Sequence, residues 1–113
     1  MAKFLFVFRG GGAVTSDLST AERSANRDNW RTWVAALASN NHIEPGVHAS
    51  GRTLRGRAML VDDAPYNETR DMLTGTLVVL ATDLAEATEL ARGCPAFDFD
   101  GSVEIRPVLE RPA

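Results

Sequence analysis

The stretch GTLVVLATDLAEATELARGCPAF, residues 75–97, and the GSVEIRPV that follows at 101–108 decide the fold. Leu77, Val78, Val79 and Leu80 form an apolar run of strand length, opened by Gly75 and closed near Thr82. Asp83 and Glu86 then have the spacing of a helix capping box, in which a side-chain oxygen takes an early amide of the helix. Leu84, Ala87, Leu90 and Ala91 recur at helical spacing and give that helix a buried stripe. Gly93 and Pro95 end it in the order that helix C-termini favour. From Ser102 to Val108 the residues alternate, with Val103 and Ile105 apolar and Glu104 and Arg106 charged. This half of the chain predicts strand, helix, strand.

The N-terminal half repeats the theme. Phe4–Phe8 is a dense run of large apolar residues that stops at Arg9 and Gly10–Gly12, so it predicts a strand and then a loop to about Asp17. Ser19 and Glu22 form a second capping-box pair, and the helix they open is predicted to run to about Asn40. Trp30, Trp33, Val34 and Leu37 share one face of it. A second strand region is predicted between His42 and Val61, interrupted by Gly51 and Gly56, with a turn at Asp62-Asp63-Ala64-Pro65. The resulting order is β-α-β-β-α-β, a split β-α-β (ferredoxin-like) α+β fold with a four-stranded antiparallel sheet. Phe4, Phe6 and Phe8 oppose Leu5 and Val7 across the first strand, and Leu77 and Val79 oppose Val78 and Leu80 in the third. Strands that are apolar on both faces belong in the middle of a sheet, whereas the last strand suits an edge. Two helices cover only one face, so a second apolar face is left over. An identical sheet is the simplest cover, and a homodimer through sheet faces is expected.

Composition narrows the function classes. At 113 residues the chain holds one core, and a single domain spanning 1–113 is expected. A net charge of −3 gives no electrostatic reason to expect nucleic acid or an anionic membrane. No apolar run is long enough to span a bilayer, and Lys3 is followed by only five apolar residues, which is not a secretory layout. Cys94 is the sole cysteine, so neither an intrachain disulfide nor a cysteine-rich zinc site can form. A cytoplasmic protein is the default expectation.

Six segments in this order carry a resemblance to a known family: the first strand with RGGG at 9–12, the Trp30/Trp33 pair, GRTLRG at 51–56, VDDAPYNET at 61–69, the helix ending in Gly93-Cys94-Pro95, and VEIRPV at 103–108. Together they resemble the YCII-related family, whose members often carry a DGPF-type turn. The resemblance covers nearly the whole chain. It implies ferredoxin-like chains that pair sheet to sheet into a dimeric α+β barrel, with a pocket between sheet and helices. The family turn stands here as Asp63-Ala64-Pro65-Tyr66. Family members with proposed lyase activity carry a histidine on the first helix beside an acidic partner, and the nearest position here is Trp30. An indole cannot shuttle a proton.

The candidate site residues are Arg9, Asn26 and Trp30 for ligand binding and His48 and Asp63 for any proton transfer, at a pocket between the sheet and the first helix. Arg9 ends a central strand beside a glycine loop, Asn26 extends the helix face of Trp30 by one turn, and Asp63 sits in the family's turn. Each has a plainer use. Asp63 before a proline turn commonly accepts backbone hydrogen bonds, Trp30 suits core packing, and His48 suits a solvent-facing position. His42 and His48, six apart with no cysteine near, give a metal site little support, and neither metal nor cofactor is expected. Arg52, Arg55 and Arg57 fit a solvated edge strand, and Cys94 a buried helix end. Two functions follow: a small-molecule-binding barrel with an accessory or regulatory role, or a cofactor-free lyase or isomerase acting on a small aromatic or lactone. The missing helix-borne histidine favours the first.

Overall fold

Eight residues of strand-forming sequence, Ala2–Arg9, make β1, the centre of the main sheet. The computed structural model describes residues 1–10, 18–44, 52–62 and 73–109. Within them β1 is followed by helix α1 (Thr20–Ser39), strands β2 (Thr53–Arg55), β3 (Leu60–Asp62) and β4 (Leu73–Ala81), helix α2 (Leu84–Ala91), a 3-10 helix at Pro95–Phe99, and β5 (Ser102–Pro107). The chain is α+β. Among the described residues no helix is long and apolar enough to cross a membrane.

Both helix starts form as their spacing predicts. Ser19 Oγ accepts the Glu22 amide at 3.1 Å, and Glu22 Oε1 accepts the Ser19 amide at 3.0 Å, so two of the otherwise orphaned N–H groups are satisfied. Hydrogen bonding to Ser19, its backbone amide first and its side chain second, holds the Glu22 carboxyl below its ordinary pKa. At α2, Asp83 Oδ1 accepts the Glu86 amide at 2.8 Å, while Glu86 Oε1 reaches one residue further back, to the Thr82 amide at 3.0 Å. Leu84, expected in the buried stripe of α2, stands at the first position of the helix and is exposed; Ala87, Leu90 and Ala91 make the contact with the core.

The sheet is antiparallel in the order β4-β1-β5. Phe6 faces Leu77 on one side and Ile105 on the other, so one register places all three strands' apolar residues in the same layer. Phe4, Phe6 and Phe8 form the core with Leu77, Val79, Ala81, Leu37, Ala87, Ala91, Cys94 and Ala96. Val103 and Ile105 close it from the edge strand β5, where the alternating pattern placed them. Val7 is also buried but stands outside this cluster, because alternation turns it to the opposite face with Leu5.

The sheet has three strands, not the four expected. The place beside β4 is taken by a single antiparallel bridge, Ile43 to Val79, flanked by Glu44 N–H to Val78 O at 3.0 Å and Leu80 N–H to His42 O at 2.7 Å. The next residue in sequence is Pro45, which has no amide to offer a ladder. Within the described residues 52–62 the predicted second strand pairs with itself: β2 and β3 form a separate two-stranded hairpin, with Leu54 opposite Val61. Gly56 at φ +67° and Met59 at φ +52° bend the chain between them, and the Met59 amide donates to Gly56 O at 3.1 Å.

Candidate functional site

The face of α1 toward the sheet is a ladder of Asn26, Trp30, Trp33 and Leu37, roughly one turn apart. Trp30 meets Phe8 edge to face, with ring centroids 4.9 Å apart, and Trp33 at 5.7 Å. Trp33 in turn lies 5.9 Å from Phe8 and 6.4 Å from Phe6. These four rings occupy the space between α1 and β1 in the offset and edge-on arrangements that aromatic quadrupoles favour. Trp33 is fixed further by its Nε1–H, which donates to Leu90 O at 3.1 Å at the end of α2. It also packs closely on Gly93, where a Cβ would stand 3.3 Å from the indole Cδ1 and Nε1 and crowd the ring.

Asn26 is tied to the C-terminal half. Its Nδ2 donates to Pro95 O at 3.1 Å and lies 3.3 Å from Asp98 Oδ2, which also accepts from Asn29 Nδ2 at 3.3 Å. Next to these contacts, between α1 and the 3-10 helix, lies a groove of about 350 Å³, walled by Trp33, Ala36, Gly93 and Pro95 and edged by Asn29, Thr32 and Asp98. An indole edge, an amide and a carboxylate suit a small flat ligand that donates a hydrogen bond. Asp98 and Asn29 were not singled out in the sequence. The available signal was the continuation of the tryptophan stripe into asparagines at 26 and 29, an amide pair with no reason to lie on a purely apolar face.

The other expected residues are distributed differently. Arg9 ends β1, and alternation sets it with Leu5 and Val7 on the side of the sheet away from Trp30. The structure therefore brings Asn26 and Trp30 to one helix face and does not bring Arg9 to it. His48 and Asp63 lie outside the described residues. His42 serves the fold: its Nδ1 is 2.8 Å from Leu80 O, a carbonyl that only accepts, so the proton is on Nδ1. No group of three His, Cys, Asp or Glu side chains among the described residues is arranged to hold a metal.

Cys94 is buried, with Sγ accepting the Ala96 amide at 3.4 Å. Burial, and to a smaller extent the nearby Asp98 charge, pushes its thiol up to about 11, although the Ala96 amide opposes the shift. Two outcomes are expected. Alkylation by iodoacetamide at neutral pH should proceed only as fast as the protein opens. Because the folded thiol holds its proton longer than the unfolded one, stability should fall as pH rises past about 9 and stop falling from this source above about 11. Rapid labelling of the native protein at pH 7 would contradict the burial.

The family model of the YCII-related domain matches residues 12–111, and the chain belongs to that family. No curated protein matches it.

Proposed function

We propose that this member of the YCII-related family is a small-molecule-binding homodimer of the dimeric α+β barrel type, with an accessory or regulatory role and no catalysis of its own. The observation that carries the reading is the second face of the sheet. Leu5 and Val7 from β1 lie beside Val78 and Leu80 from β4, opposite the face that receives both helices. Leu5, Val78 and Leu80 are only half-buried in the single chain, and a second sheet laid on them removes that apolar surface from water. In this reading a fourth strand would lie beside β4 on the side away from β1, in the ferredoxin-like order, and the single bridge from Ile43 to Val79 supports that placement.

The non-catalytic part of the reading follows from α1, which contains no histidine and has Trp30 on its inward face. A lyase or isomerase would have to draw on His48 and Asp63 instead.

Sedimentation equilibrium tests the assembly. The chain is expected to be a dimer at micromolar concentration, burying at least about 1,000 Å² in total. Val78→Asp, which puts a charge into the paired apolar faces, should weaken it at least tenfold. A monomer at that concentration would overturn the reading. Thermal-shift titrations with benzamide and benzoate test the ligand. The Asp98 carboxylate in the groove favours the neutral amide over the anion. A larger shift from benzoate would move the ligand to the Arg9 end of β1, and a shift from neither would remove small aromatic ligands altogether.

A further inference from the structure

The hairpin of β2 and β3 is the part of the fold that its own chain explains least. Neither strand packs substantially against any other described element. It nevertheless holds large apolar side chains in the open: Leu54 and Val61 are opposite each other across the pair, 60% and 58% exposed, and Met59 in the turn is 67% exposed. A lone two-stranded hairpin is marginal in water and gains stability from a third strand or an apolar partner. The chain is also more extended than its length requires. Its radius of gyration is 15.4 Å, against about 13 Å for a compact domain of this size.

We propose that this hairpin is an arm that grips a second copy of the chain, with Leu54, Met59 and Val61 as its contact surface. Charge favours an identical partner. Residues 52–62 hold Arg52, Arg55 and Arg57 against Asp62, a net +2, in a chain of net −3, so the rest of the chain carries −5. A basic arm is thus complementary to the acidic body of another copy. A two-fold axis makes the contact reciprocal, because each copy offers one arm and receives one. The inference rests on the dimer reading above and adds to it. Sheet faces alone would leave the arm in water, whereas an arm closing over the partner's rim covers both apolar surfaces in one assembly.

The test places p-benzoylphenylalanine at position 59, an exposed site where a large side chain does not disturb the core. Nitrogen-15-labelled and unlabelled protein are mixed, allowed to exchange subunits, and irradiated. Cross-linked pairs of one heavy and one light chain are expected, with the cross-link in a peptide of the partner's body. If sedimentation shows a dimer but every cross-link lies within one chain, the arm is overturned while the sheet-face dimer stands. If sedimentation shows a monomer, both fail together. A second variant, Leu54→Glu with Val61→Glu, should weaken the dimer at least tenfold while the monomer keeps its circular dichroism spectrum. An unchanged dimer affinity would also overturn the arm.

Discussion

Phe6→Ala is expected to lower the stability of the fold by about 3–5 kcal/mol, the range of buried aromatic truncations. Phe6 is fully buried on the central strand, paired with Leu77 and Ile105 and stacked on Trp33. Its removal leaves a cavity bounded by strands whose hydrogen-bonded register prevents them from closing in, so the cavity cost adds to the lost transfer free energy. Against a typical total of about 5–15 kcal/mol, a loss of that size brings a small domain near its unfolding threshold. Urea unfolding monitored by tryptophan fluorescence measures it directly. A loss below about 1 kcal/mol, the scale of a surface change, would mean that Phe6 does not anchor the core.

Trp30→Ala is expected to cost about 3 kcal/mol, the low end of tryptophan truncations, because the ring is only half-buried. The loss combines its contact with Phe8 at 4.9 Å and its contact with Trp33 at 5.7 Å. Edge-to-face pairs of this kind contribute about 0.5–1.5 kcal/mol each beyond the area they bury. Trp30→Phe should restore much of the loss, since a smaller ring still meets Phe8. The same pair of variants separates packing from ligand contact. If Trp30 instead forms the wall of a binding pocket, Trp30→Ala would leave the urea midpoint nearly unchanged and abolish the thermal shift given by the bound aromatic. An alanine variant with wild-type stability would therefore remove Trp30 from the core and return it to the site.

These two residues also show how far a linear reading reaches. Ser19 with Glu22 and Asp83 with Glu86 announced both helices because a cap is made by residues three apart, within reach whatever the rest of the chain does. The centrality of β1 was legible because alternating residues on both its faces are apolar, a property of the five consecutive positions Phe4–Phe8. For the same reason the stripe Trp30, Trp33 and Leu37 identified the inward face of α1. The resemblance in six ordered segments led to the same family that the match over residues 12–111 establishes.

What lay beyond the sequence depends on docking between distant segments. Asn26 looked like the rim of a pocket shared with Arg9. The meeting of α1 with the 3-10 helix gave it Pro95 O and Asp98 instead, 69 and 72 residues away. The groove beside Trp33 exists because Gly93 lets the indole lie against the end of α2, a fit that neither residue declares alone. Residues 53–62 were expected in the main sheet and pair with themselves instead, because a strand-like run specifies extension but not its neighbour. Local rules set the elements of this protein: the caps, the alternation and the helical stripe each close within a few residues. Only the tertiary structure decided which of their surfaces meet, because that choice is made by shape and hydrogen-bond complementarity across dozens of residues of chain.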